Sequence, residues 1–277
     1  KKLHCNVEVI MTKNAVNFIN PITFETLTGN KCLIDTFDRN FQFQVEHISL
    51  AKRADLLMVA PASANIIGKL ANGIADDMLT TTALACTCQK IIAPAMNTNM
   101  YLNPIVQDNM KRLQNYGFEM VEAASGHLAC GDSGIGKLPE EKLLVEHIVR
   151  SIAREKDMKG MKVLVSAGAT MEAIDPVRYI TNHSTGKMGF ALAKAAMLRG
   201  ASVTVVKGHT EAEEPHFVKM VPVKSAQQMF EAVKEEAADA DIVIMAAAVA
   251  DYRPSEVYDQ KVKKSDGEMS IALTRTQ

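Results

Sequence analysis

The sequence predicts an α/β protein of two three-layer domains, each a parallel sheet flanked by crossover helices. Three observations carry this. Short aliphatic or β-branched runs alternate with amphipathic helical stretches along the whole chain. Two of those runs end in matching punctuation, Val59-Ala60-Pro61-Ala62-Ser63-Ala64-Asn65 and Ile92-Ala93-Pro94-Ala95-Met96-Asn97. Beyond Asp157-Met158-Lys159-Gly160, which has the composition of a linker, the same alternation restarts, so the domains are expected at 1–156 and 157–277.

Val7 to Met11 reads as a strand, after which Thr12 caps a helix through Phe18. Pro21 opens a second helix and Gly29 stops it. Glu46 to Arg53 is helical, and Asp55 to Ala60 is a buried strand. Helices follow at Ser63 to Ala71 and Asp76 to Cys86, then a strand at Lys90 to Ala93 and a helix at Pro104 to Tyr116. Ala123 to Leu138 is rich in glycine and lacks periodicity, so it reads as irregular; Pro139 to Lys156 is a charged helix. In the second half, strands are expected at Met161 to Ser166, Ala201 to Val206 and Asp241 to Met245. Helices are expected there at Gly186 to Arg199 and Ser225 to Ala238.

At 277 residues with 47% apolar side chains, the chain can bury two substantial cores. A formal net charge of −1 gives no electrostatic footprint for nucleic acid or an anionic membrane. No apolar run approaches the roughly 18 residues that a spanning helix requires. The five cysteines are odd in number and irregularly spaced, and Cys86-Thr87-Cys88 is neither a zinc knuckle nor a two-residue redox pair. Reduced thiols and a cytoplasmic location are expected. The chain opens on Lys1-Lys2-Leu3-His4 and stops at Gln277 just after a strand-like run, so a fragment clipped at both ends is expected.

In open parallel sheets, ligands sit beyond the carboxyl ends of the strands. Small residues after Val59 and Ile92 would admit a flat ring, with Ser63, Asn65 and Asn97 reading its polar edge. Ser63 could equally cap its helix and Asn97 complete a turn. His47, early in a helix, offers an imidazole that could act as a base or bind a carboxylate, or is simply packed. Cys130 lies in Gly126-His127-Leu128-Ala129-Cys130-Gly131-Asp132-Ser133-Gly134-Ile135-Gly136-Lys137, a loop of the kind that forms lids. A thiol there could deliver a proton to a reactive carbon; an incidental cysteine is the plainer alternative.

Further on, Asp175-Pro176-Val177-Arg178-Tyr179-Ile180-Thr181-Asn182-His183-Ser184-Thr185-Gly186-Lys187-Met188-Gly189 feeds an apolar helix. Backbone N–H groups gathered at that helix start outline a phosphate cradle, although the spacing matches neither Walker nor GxGxxG patterns. The run Met245-Ala246-Ala247-Ala248-Val249-Ala250-Asp251 would let a base approach the backbone, with Asp251 accepting from an amino group. Lys261-Val262-Lys263-Lys264 is a cationic patch or a solvated edge strand.

These motifs, in this order, resemble the bifunctional coenzyme A biosynthesis flavoproteins, phosphopantothenoylcysteine decarboxylase/phosphopantothenate–cysteine ligase. The resemblance rests on Pro94 to Asn97, Ala129 to Asp132, the histidine-bearing helix and the 175–189 string. It implies two Rossmann-like domains: a flavodoxin-like flavoprotein domain lacking its first strand, then a nucleotide-binding ligase domain, incomplete at its C-terminus. It implies FMN held by Thr12, Ser63 and Asn65, and substrate held by Met96, Asn97, Ala129 and Cys130. By that likeness FMN oxidises the substrate thiol to a thioaldehyde, and carboxylate is lost through an enethiolate. His47 assists, Asn97 holds the carboxylate and Cys130 supplies the proton. In the second half it assigns CTP to Ser184, Gly186, Met245, Ala246, Ala247, Asp251 and Lys261, with Mg²⁺ carried by the triphosphate. Asn182 would serve turnover of an acyl-cytidylate, and Arg178 would contact the activated acyl phosphate. Lys137 stands where the family usually has arginine, and Ala169 is a small variation in a glycine turn. The resemblance further implies 4′-phosphopantothenate and cysteine as substrates, trimer-based flavin domains and ligase dimers. A flavin-binding regulator without catalysis and a peptidyl-cysteine decarboxylase are the alternatives; the residues from Met161 onward speak against both.

Overall fold

The computed structural model describes residues 3–36, 46–128, 131–263 and 269–276. The chain divides into two compact units, Lys1–Ile152 and Ala153–Gln277.

In the first unit, Thr12 Oγ1 accepts from Ala15 N at 3.2 Å and starts a short 3₁₀ turn, Ala15–Asn17, rather than the expected helix through Phe18. Helix α1 (Pro21–Thr28) begins with the Asn20 side chain accepting from Ile22 N and ends at Gly29, whose φ of 78° suits a residue without Cβ. Then follow α2 (Glu46–Arg53), β1 (Leu56–Ala62), α3 (Ala64–Ala71) and α4 (Met78–Ala85). Asp77 and Thr80 form a reciprocal capping box on α4. Next come β2 (Gln89–Pro94), α5 (Thr98–Leu102), α6 (Pro104–Asn115) and β3 (Glu119–Met120). The unit closes with β4 (Ala124–His127), β5 (Ser133–Lys137) and α7 (Glu141–Ile152).

Strands β1, β2 and β3 form a parallel sheet in that order. One face buries Val59, Ile66, Ile67, Leu70, Ile92 and Leu113 beneath α3 and α6. The other packs Ile91, Ala93 and Val121 against Leu144 of α7. Two expectations fail. Val7 to Met11 is not a strand, because its ladder is the single bridge Ile10↔Leu33, and Val7 is 40% exposed. The stretch 123–138 is not irregular: β4 and β5 pair antiparallel, with Leu128 N donating to Asp132 O across the tip. Ala124 and Gly126 turn inward while Ser125 and His127 turn outward, so the backbone alternates where glycine conceals it in the sequence.

The second unit runs β6 (Lys162–Ala167), β7 (Met171–Ala173), β8 (Tyr179–Thr181), α8 (Lys187–Leu198) and β9 (Ser202–Lys207). It continues with β10 (Lys219–Pro222), α9 (Ala226–Ala237), β11 (Ile242–Met245), β12 (Tyr252–Pro254) and β13 (Leu273–Arg275). The helix expected to reach Lys156 stops at Ile152, and Lys156 Nζ instead donates to the Leu198 carbonyl at the end of α8. Ser225 and Gln228 box the start of α9, as the buried Glu172 does by accepting from Ala226 N at 2.8 Å. Val163, Val165, Phe190, Ala193 and Val205 form the core under α8. The sheet order is β10-β9-β6-β11, all parallel. Numbered by appearance these four strands read 3-2-1-4, the doubly wound half whose strand order reverses between its first and fourth strands. Lys261 to Lys263 form no strand, which removes the edge-strand alternative for these residues; Lys264 lies outside the described residues.

Candidate active sites

At the carboxyl end of the first sheet, Ala62 pairs with Pro94, and Ala95 N donates to Ala62 O at 3.0 Å. Ser63 caps α3 by position, yet its exposed hydroxyl makes no capping bond. Asn65 is exposed two residues further. Asn97 caps α5, and its Oδ1 accepts from Asn99 N at 2.8 Å. That bond fixes the amide so that Nδ2 points toward the β4–β5 hairpin, where it donates to Asp132 Oδ2 at 3.4 Å.

The hairpin is seated on the same segment. Met96 N donates to Gly136 O at 2.9 Å, and a Cβ on Gly136 would overlap the Met96 carbonyl oxygen. A Cβ on Gly134 would overlap Thr98 Oγ1, which is buried without a hydrogen-bond partner among the described residues. Sequence reasoning gave no role to Gly134, Gly136 and Thr98, and named Asp132 only as part of the flap motif; the glycines without turn context were the available signal. Ala129 and Cys130 lie outside the described residues. His47 sits half-buried in the first turn of α2, and Thr12 is spent on its 3₁₀ turn. Neither is brought to Asn97 by any contact among the described residues.

In the second unit the expected residues gather at the reversal point between β6 and β11. Buried Ser166 accepts at Oγ from Ala246 N (3.0 Å) and Ala247 N (3.2 Å), which fixes the alanine run beyond β11. Ala169 bridges both Ala248 and His209. Gly168, with φ of 85°, would place a Cβ 2.6 Å from His209 O. Gly186 starts α8 at φ 69°, where a Cβ would meet Thr210 Oγ1 at 2.7 Å. Gly189 lies against Ala167, a Cβ there falling 2.6 Å from its methyl carbon. The start of α8 therefore presses on the end of β6. Ser184 Oγ accepts from Gly186 N at 3.3 Å. Asn182 Nδ2 donates to Val249 O at 3.0 Å, which ties the two lips together. The Asp251 side chain is exposed, while its carbonyl accepts from Thr276 N. Met245 is 61% exposed.

Arg178 is tied to its own loop and to the segment around Val262. Its Nε donates to Asp175 Oδ2 at 2.9 Å and its Nη2 to both that oxygen and Val262 O. The guanidinium holds the Asp175 carboxyl well below the usual carboxylate range. Ser166 and Thr170, whose Oγ1 accepts from Ala250 N, were missed as site-shaping residues. Hydroxyls ending an otherwise apolar strand were the signal. Replacing Ser166 by alanine strips two N–H groups of their acceptor, a loss of about 1–3 kcal/mol. Thermal melting of the whole protein should register that loss.

Among the described residues no group of three or more His, Cys, Asp or Glu could hold a metal ion, and no helix is long and apolar enough to cross a membrane.

Fold and sites define a protein of two Rossmann-like α/β units. Residues 1–153 match the Flavoprotein family model, and residues 158–277 match the DNA/pantothenate metabolism flavoprotein C-terminal domain. The coenzyme A biosynthesis bifunctional protein CoaBC of Bacillus subtilis (strain 168) is 48% identical over 274 residues, covering 98% of this chain and 68% of that protein. Its counterpart in Vibrio vulnificus (strain YJ016) is 44% identical over 277 residues, covering 99% and 69%. The solved structure of the FMN-dependent cysteine decarboxylase SpaF is 32% identical, covers 52% of this chain and 78% of its own, and superimposes with a TM-score of 0.45. The chain belongs to the family of coenzyme A biosynthesis bifunctional proteins CoaBC.

Proposed function

We propose that this protein makes 4′-phosphopantetheine in two steps: ligation of 4′-phosphopantothenate to cysteine, then decarboxylation of the product. Residues 157–277 carry the CTP-dependent ligation and residues 1–156 the FMN-dependent decarboxylation. The observation that weighs most is the seating of the β4–β5 hairpin on Met96 and Asn97, which presents an oriented amide donor beside Asp132.

In the first unit, Asn97 Nδ2 donates to the substrate carboxylate, its orientation set by Asn99 N–H. Met96 and Ala129 line the substrate, His47 assists loss of CO₂, and Cys130 returns the proton to carbon. The unspent Ser63 hydroxyl at the start of α3 fits a flavin's polar groups, with Asn65 and Thr12 as its further contacts. FMN, when bound, supplies the two-electron oxidation and re-reduction of the substrate.

In the second unit, Ser184, Gly186 and the N–H groups of α8 receive the phosphates of CTP. Met245, Ala246 and Ala247 offer backbone to the base, and Asp251 accepts from its amino group. The pantothenate carboxylate attacks the α-phosphorus, pyrophosphate leaves, and the acyl-cytidylate is opened by the cysteine amine with release of CMP. Lys261 offsets developing charge, and Asn182 stands at the acyl centre. Mg²⁺ comes in with the triphosphate and water.

Exposed Phe18, Ile22 and Leu27 in the first unit, and Met188 in the second, support self-association, with trimer-based flavin units and ligase dimers. A cytoplasmic location fits these substrates. The deciding experiment supplies 4′-phosphopantothenate, cysteine and CTP, and follows products by mass spectrometry. Ligated product that then loses the mass of CO₂ is expected. Persistence of the carboxylated product would remove the decarboxylase assignment, and absence of ligation would remove the other.

A further inference from the structure

The loop between β7 and β8 and the segment 258–263 are stitched together by a buried charge. Asp175 is 3% exposed. Its Oδ1 accepts from Val177 N and Arg178 N, each at 2.8 Å, which closes the turn around Pro176. Its Oδ2 accepts from Arg178 Nε at 2.9 Å and from Val262 N at 3.2 Å. Arg178 Nη2 then donates to Val262 O at 2.9 Å. Both polar groups flanking Val262 are thus captured, the N–H by the carboxylate and the carbonyl by the guanidinium. A second tie lies nearby, where Tyr258 N donates to Ile174 O at 3.0 Å.

Segment 258–263 has no strand or helix of its own, so these bonds substitute for a ladder. Val262 is half-buried, while its neighbours Lys261 and Lys263 are exposed. Fixing the peptides on either side of Val262 fixes where the Lys261 side chain starts. A lysine is a point charge on a flexible stem, so its effect on a polyphosphate depends on how well its base is anchored.

We infer that Asp175 and Arg178 form a clamp that positions Lys261 for CTP, and that Arg178 acts through this clamp as a positioning residue. The inference deepens the ligase reading above and rests on the role given there to Lys261. A guanidinium committed to an aspartate and a carbonyl serves the site by holding geometry, and lysine at 178 could not reproduce the paired Nε and Nη2 contacts.

The test is a double-mutant cycle on ligation by the whole protein, read as KM for CTP against KM for cysteine. Asp175→Asn keeps the side chain's size and removes the charge. It should raise KM for CTP about tenfold, with KM for cysteine held within a factor of about two. Added to Lys261→Ala it should cost little more, because both changes remove one function. Arg178→Lys provides a milder second variant should Asp175→Asn fold poorly, and it should shift the same constant in the same direction. Fully additive effects, or equal shifts for both substrates, would overturn the clamp while leaving Lys261 in its role. An unchanged KM for CTP in Lys261→Ala would overturn the role of Lys261 itself, and the clamp with it.

Discussion

Gly136→Ala is expected to cut decarboxylation of 4′-phosphopantothenoylcysteine by about a hundredfold, the scale of loss produced by a misplacement of about 1 Å near a reacting centre. Gly136 has φ of 130°, and the Cβ it lacks would occupy the Met96 carbonyl oxygen. That neighbour is backbone and cannot rotate away. The methyl must therefore push β5 off the Met96–Asn97 segment, breaking the bond from Met96 N to Gly136 O. Asn97 would lose its register with Asp132 at the same time. Gly134→Ala makes an internal comparison, since its obstacle is the Thr98 side chain, which can turn. A loss smaller than that of Gly136→Ala is expected there. Flavin absorbance should persist in both variants, because neither glycine lies at the ends of β1 or at Ser63. Decarboxylation at the unsubstituted rate in Gly136→Ala would show that hairpin seating does not govern the reaction.

How much of this was legible in the sequence follows from which interactions are local. The helices announced themselves through caps: Pro21 and Gly29 bound α1, and Ser225 with Gln228 boxes α9. The strands β1, β2, β6, β9 and β11 were visible as aliphatic runs, and in β2 and β6, buried over most of their length, such a run needs no alternation. The hairpin was not. Gly126, Gly134 and Gly136 carry no side chain to show a period, and the reason Gly134 and Gly136 are glycine lies in Thr98 and Met96, more than thirty positions away. Val7 to Met11 had the composition of a strand, but composition cannot supply a partner, and beyond the bridge from Ile10 to Leu33 none pairs with it among the described residues. The same limit applies to Arg178. Its place in the string suggested a ligand contact, and its bonds to Asp175 three residues back and Val262 far ahead were not readable there. Residue identities near a site were readable; which of them face one another was not.

The second large effect is expected at Gly186, where valine should lower kcat/KM of ligation for CTP about a hundredfold or more. Two penalties combine. A β-branched residue at φ 69° is strained, at a cost of about 1–2 kcal/mol or more. Its Cβ would also sit 2.7 Å from Thr210 Oγ1 and 3.3 Å from Gly168 N. Thr210 has little freedom to yield, because its hydroxyl donates to Thr185 O at 2.6 Å and accepts from Ala212 N at 3.0 Å. The start of α8 must then lift away from Gly168, taking its N–H groups out of line with the phosphates. Because α8 is also held by Phe190, Ala193 and Met197 in the core, the helix itself should survive, and the loss should fall on nucleotide use. Direct CTP titration by calorimetry, alongside decarboxylation of supplied 4′-phosphopantothenoylcysteine, separates this from unfolding. Weakened CTP binding with decarboxylation retained is the expected pair. Undiminished CTP affinity in Gly186→Val would mean that the phosphates are received elsewhere than at the head of α8.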